Sequence, residues 1–239
     1  DSSESVFAQE SDDSAKQPEK EIAVVCAASG DGLCAMLREF GADAIVDGQQ
    51  TMNPSAHDFI DAFSGLKARH IIVLPNNSNI ILTARQAAEM YADADVRVVE
   101  TRTLAEGYVA MTMLDTSSGN ADEVEAQLSE AVDGVRTGLV TYAVRDSVVN
   151  GIQVQKGDWL GFDGDEMLCR ADGSGQCAAE LMKKMNVSQS SAVIALYGKD
   201  AGAEDCELLR DIMRNVFPSV EFYEADGGQD VYSFIFAVE

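Results

Sequence analysis

The sequence predicts an α/β protein of two lobes. The N-terminal lobe is expected to carry a mostly parallel sheet flanked by helices, and the C-terminal lobe an antiparallel or mixed sheet with helices. Three observations carry this. Up to about residue 115, short β-branched runs alternate with helix-period segments, the signature of a parallel sheet covered on both faces. Beyond 116–120 the pattern changes, and an Asn-Gly step joins two β-rich runs, a strong hairpin signal. The chain has 239 residues and is 46% hydrophobic, enough for one large domain or two modest lobes.

Taken in order, residues 1–20 are serine-rich, acidic and nearly free of large apolar side chains. Such a stretch buries too little apolar surface to offset its ordering entropy, so a linker is expected there. The N-terminal lobe, 21–118, places strands at 22–27, 44–46, 70–74 and 96–100, with helices at 32–40, 55–65, 79–91 and 104–114 between them. The third helix shows an apolar stripe of Ile80, Ile81, Ala84, Ala87, Ala88 and Tyr91. The C-terminal lobe, 119–239, opens with an amphipathic helix at 120–135, whose apolar side holds Val124, Leu128, Ala131, Val132 and Val135. An antiparallel meander over 139–170 follows, with turns at Asn150-Gly151 and Asp163-Gly164. Helices at 176–185 and 204–217 and strands at 192–197, 220–224 and 232–238 complete it.

Charge narrows the function. Seventeen basic residues against 41 acidic ones leave −24, a surface that repels phosphate backbones and anionic lipid heads, so neither nucleic acid nor a membrane surface is an expected partner. No apolar run approaches the roughly 18 residues of a membrane span. Cys26, Cys34, Cys169, Cys177 and Cys206 form no C-x-x-C pair, which fits packed thiols in a reducing cytoplasm better than a disulfide framework or a structural zinc site. His57 and His70 are the only histidines, His57 expected at a solvent-facing helix start and His70 at a strand edge. No metal site is expected.

Three loops after strands of the first sheet have unusual compositions. In open α/β sheets, ligands gather at these carboxyl ends. Ala27-Ala28-Ser29-Gly30-Asp31-Gly32 holds a G-x-G that suits an anion on helix amides or simply a tight turn; it lacks the third glycine of a dinucleotide fingerprint and the Gly-Lys of a P-loop. The segment 48–55 ends in Ser55, an N-cap with Asp58 in the capping-box position, but capping leaves Gln50, Thr51 and Asn53 unexplained. Leu74-Pro75-Asn76-Asn77-Ser78-Asn79 offers more polar side chains than one cap needs, although asparagines also tolerate left-handed backbone. The second and third loops leave the same sheet edge, so they are candidates for one donor-rich patch. Arg145, beside Asp146, reads as a surface ion pair or as an orienter of an acidic group. No nucleophile–base spacing, G-x-S-x-G or kinase lysine motif appears.

Several segments together resemble one family. Gly48-Gln49-Gln50-Thr51-Met52-Asn53-Pro54-Ser55, Ile72-Val73-Leu74-Pro75-Asn76-Asn77-Ser78-Asn79-Ile80, Thr141-Tyr142-Ala143-Val144-Arg145-Asp146 and Lys156-Gly157-Asp158 look like the C-terminal domain of the kinase component, FakA, of bacterial fatty acid kinase. These are the YloV-like proteins with a dihydroxyacetone-kinase-like N-terminal domain, and the resemblance runs from about Glu19 to Glu239. It implies a fold like the DegV proteins, two α/β lobes with a cleft between them. It also implies that the whole enzyme phosphorylates a fatty acid for phospholipid synthesis, with ATP and magnesium held in a kinase domain that this segment lacks. No cofactor is then expected here.

For this segment the resemblance implies docking of the DegV-like fatty-acid-binding partner protein, without catalysis. The alternative is a ligand module that holds a fatty acid or another small carboxylate. DegV-like proteins grip the carboxylate through a Thr-x-x-Pro-Ser loop and the loop after the next strand. Thr51 and Ser55 keep that spacing, whereas Asn76-Asn77-Ser78-Asn79 replaces the small Ser/Gly-rich run. The candidate ligand- or partner-binding residues are therefore Gln50, Thr51, Asn53, Ser55, Asn76, Asn77, Asn79 and Arg145.

Overall fold

The computed structural model describes residues 20–47 and 53–239. Four strands, β1 (Lys20–Ala27), β2 (Ala44–Val46), β3 (Ala68–Leu74) and β4 (Asp95–Val98), form an all-parallel sheet in the order β2-β1-β3-β4. Its connections are α1 (Asp31–Phe40), α2 (Ala56–Ser64) and α3 (Ile81–Met90), the last entered through a 3₁₀ turn at Ser78–Ile80. Two more helices, α4 (Leu104–Thr112) and α5 (Ala121–Val132), lead into the second sheet.

That sheet has six strands in the order β11-β10-β12-β5-β8-β9. They are β5 (Arg136–Tyr142), β8 (Trp159–Asp163), β9 (Glu166–Ala171), β10 (Ala192–Tyr197), β11 (Glu221–Asp226) and β12 (Tyr232–Val238), with α6 (Ser174–Lys184) and α7 (Ala203–Val216) between them. Only β10 and β11 run parallel; every other pairing is antiparallel. A separate hairpin, β6 (Ser147–Val149) and β7 (Ile152–Val154), turns at Asn150 and Gly151, which have φ 49° and 79°. Two successive positive φ values define the turn that Asn-Gly favours. The β8–β9 turn sits one residue later than expected: Asp163 pairs with Glu166, leaving Gly164 and Asp165 at the tip.

The strand alternation shows how the layers stack. Along β1, Ile22, Val24 and Cys26 enter one core while Ala23, Val25 and Ala27 enter another, as the two-residue period of a strand requires. The Ala23 side packs on α2 and α3 through Phe59, Phe63, Ile80 and Ala84. The Ile22 side packs on α1, α4 and α5, and the same core includes Ile194, Leu196, Ile235 and Ala237 of the second sheet. The far face of that sheet, with Val193, Phe234 and Phe236, is covered by Leu181 of α6 and Leu209 of α7. The order is thus helices, parallel sheet, shared helices, mixed sheet, helices. Between the sheets lies a packed layer of side chains where a cleft between lobes was expected.

Two of the motifs that carry the family resemblance hold this architecture together. Ala143 N–H donates to the Asp158 carbonyl at 2.8 Å and Gly157 N–H to the Ala143 carbonyl at 2.8 Å. Asp146 accepts from Lys156 N–H at 2.7 Å. The Thr141–Asp146 and Lys156–Asp158 segments therefore clasp each other at the end of β5.

Candidate functional site

The loops after β1, β2 and β3 and the N-terminus of α4 meet at the carboxyl end of the parallel sheet. There they line a recess formed by Ala27, Ala28, Ser29, Val46, Pro54, Pro75, Asn76, Asn77, Ile80 and Leu104. Cross-bonds fix the loops: Ala28 N–H donates to the Val46 carbonyl at 3.2 Å, and Ser78 N–H to the Arg102 carbonyl at 3.0 Å. The second and third loops do converge, as their shared edge suggested.

Asn76 is the joint of this corner. It is 4% exposed and holds φ 56°, a left-handed conformation that asparagine tolerates. Its backbone N–H donates to Thr101 Oγ1 at 2.9 Å and its Nδ2 to the Ala27 carbonyl at 2.9 Å, so one residue ties the ends of β1, β3 and β4. Its Oδ1 is buried without a hydrogen-bond partner. It faces Gly107 of α4, where an added Cβ would lie 2.6 Å from Nδ2 and closer still to Oδ1. Gly107 was not apparent from sequence as part of this corner, because a glycine inside a helix signals only reduced propensity.

The other candidates divide. Ser55 caps α2 in a reciprocal capping box: its Oγ accepts from Asp58 N–H at 3.3 Å, and Asp58 Oδ2 accepts from Ser55 N–H at 2.6 Å. Those bonds hold the Asp58 carboxyl below its ordinary pKa. Asn77, half-buried, caps the 3₁₀ turn by accepting from Asn79 N–H at 2.9 Å. Asn53 and Asn79 are exposed at the rim. Arg145 is exposed on the β5–β6 loop of the second sheet and does not line the recess. Gln50 and Thr51 lie outside the described residues.

The G-x-G loop has a definite neighbour. Leu33 N–H donates to the Gly227 carbonyl at 2.8 Å. A Cβ on Gly30 would sit 2.6 Å from the Gly227 oxygen, and one on Gly32 3.0 Å from the Asp226 carbonyl carbon and nearer its oxygen. The Gly227-Gly228-Gln229 loop between β11 and β12 thus lies directly on the start of α1. Its role was not apparent from sequence; the available signal was the adjacent glycine pair between two strands.

The recess has a volume of about 30 Å³, room for roughly two waters when one needs about 10–15 Å³. Ligand pockets commonly measure about 300–1,000 Å³. None of its described lining residues is an acid, a base or a cation. Among the described residues no three histidine, cysteine or acidic side chains gather as a metal site, and no helix is long and apolar enough to cross a membrane.

Comparison with known proteins follows the same line. Residues 23–239 match the FakA-like C-terminal family, described as the C-terminal region of proteins like the A component of fatty acid kinase. The chain belongs to this family. Protein YloV of Bacillus subtilis is 33% identical over 225 residues, covering 94% of this chain and 40% of YloV. A Staphylococcus haemolyticus protein is 31% identical over 229 residues, covering 96% of this chain and 41% of its own. The chain therefore spans about two-fifths of the curated relatives it matches. Among solved structures, a DegV family protein from Corynebacterium glutamicum superposes with a TM-score of 0.65 at 14% identity, over 91% of this chain and 95% of its own. The Streptococcus pneumoniae fatty acid kinase B3 protein, solved with linoleic acid, gives 0.59 at 12% identity, over 91% and 99%. At these identities the likeness establishes the DegV-like fold.

Proposed function

We propose that this chain is the docking module of a fatty acid kinase: it receives the acyl-loaded, DegV-like fatty-acid-binding protein and leaves the chemistry to an ATP- and magnesium-binding domain elsewhere in the enzyme. The observation that carries this reading is the size and commitment of the recess. At about 30 Å³ it has no room for an acyl chain. The asparagines that border it are engaged in scaffold bonds, Asn76 to the strand ends and Asn77 to a helical cap.

Charge supports a protein partner. Most arginines are paired with carboxylates, among them Arg97 with Asp95 and Glu125, and Arg210 with Glu207 and Glu224, so the net −24 is presented to solvent. Such a field speeds encounter with a basic patch. Phosphoryl transfer needs its reactants aligned within ångströms, and a dedicated docking module meets that need.

Native mass spectrometry of the chain, alone and with the acyl-loaded binding protein, tests the reading. A ligand-free chain that forms a one-to-one complex is the expected result. A chain that retains a fatty acid and ignores the protein would replace docking with the ligand-module reading.

A further inference from the structure

Two cysteines for which the sequence suggests only packing stand together in the second lobe. Cys169, on β9, and Cys177, in the first turns of α6, bring their sulfurs to 3.9 Å. The space they share is made by Gly161 of β8, the residue paired with Cys169 across the sheet. A Cβ on Gly161 would lie 2.5 Å from Cys169 Sγ and 3.4 Å from Cys177 Sγ. The strand pair also shifts register beside Gly161, and β9 is the outermost strand, free on its other side to adjust.

We propose that Cys169 and Cys177 form a reversible disulfide when the protein meets a peroxide, tying edge strand β9 to α6. The sulfurs must close from 3.9 Å to about 2.05 Å, a movement on the scale of side-chain and edge-strand adjustment. Access favours Cys169 as the attacking group, since it is half-buried while Cys177 is fully covered. The Cys177 thiol donating to it draws the Cys169 thiol below its ordinary pKa, while burial and the neighbouring sulfur push Cys177 up. The remaining thiols are pushed up chiefly by burial, Cys26 to about 12, with Cys34 and Cys206 moving the same way. Thiolate character and access together select the site of oxidation.

The steps balance. The Cys169 thiolate attacks one peroxide oxygen; the S–O bond forms, the O–O bond breaks and hydroxide leaves. Cys177 sulfur then attacks the Cys169 sulfenic sulfur; the S–S bond forms, the S–O bond breaks, and the departing hydroxide takes up the Cys177 proton as water. Two thiols together lose two electrons, and hydrogen peroxide is reduced to two waters. A dithiol reductant reverses the linkage by thiol–disulfide exchange.

The test treats the 239-residue chain with hydrogen peroxide and reads intact mass and tryptic peptides. The expected result is loss of two hydrogens, with peptides 157–170 and 171–183 joined until dithiothreitol is added. Cys169→Ser should abolish the loss, and Cys177→Ser should leave a Cys169 sulfenic acid that dimedone traps. Unchanged mass, or Cys169 carrying oxygens with no cross-link, would overturn the proposal. A cross-link through Cys34 would overturn it equally.

Discussion

Replacing Gly107 by alanine is an instructive perturbation, because helix propensity and tertiary packing predict opposite signs. In an ordinary helix interior, glycine to alanine stabilises by about 0.8–1 kcal/mol. Here the new methyl would overlap the Asn76 carboxamide, 2.6 Å from Nδ2 and closer to Oδ1. Overpacking of this kind costs about 1–3 kcal/mol. The route of relief is to displace Asn76, which breaks its bonds to the Ala27 carbonyl and to Thr101, each contributing about 0.5–1.5 kcal/mol. Offset by propensity, the net expectation is a loss of about 2–3 kcal/mol, read as a lower urea midpoint at unchanged slope. A cycle isolates the cause. Glycine at 76 suits φ 56° and removes the obstructing carboxamide, so in an Asn76→Gly background Gly107→Ala should stabilise. A neutral or stabilising Gly107→Ala in the otherwise unaltered chain would refute the packing argument.

Three other outcomes follow from the same geometry. Gly32→Ala places its methyl against the Asp226 carbonyl group, backbone that cannot rotate away, and should cost about 2–3 kcal/mol in urea unfolding. Val231, exposed and β-branched, holds φ 69°, a conformation worth about 1–2 kcal/mol of strain; Val231→Asn should raise the melting temperature. Asp58 has its folded pKa depressed by the capping box, so its contribution is complete above the unfolded value of about 3.9 and is lost as pH falls through the folded one. Asp58→Ala should therefore destabilise at pH 7, and the difference from the unaltered chain should shrink in acid denaturation below about pH 4.

Much of the fold is written in local pattern. Strand β10 was readable as a wholly buried run because Val193 and Ile194 face two different cores, and Asn150-Gly151 announced its hairpin through backbone conformation alone. The Ser55 cap was equally local, since both bonds close within three residues. What the sequence hid is pairwise and distant. Asn76 and Gly107 explain each other across about 30 positions, and Gly32 meets Asp226 only after the second sheet has formed. Asn76 looked like a ligand donor because its true acceptor, the Ala27 carbonyl, belongs to another strand. Cys169 and Cys177 lie close in the chain, yet their pairing depends on Gly161 being empty.

The central claim, docking in place of ligand storage, is tested most directly by titrating acyl-loaded, DegV-like fatty-acid-binding protein into this chain by calorimetry at low and high salt. The account predicts saturable one-to-one binding that weakens as salt screens the −24 surface. Absence of heat at both salt concentrations, together with transfer of the fatty acid onto this chain, would contradict it.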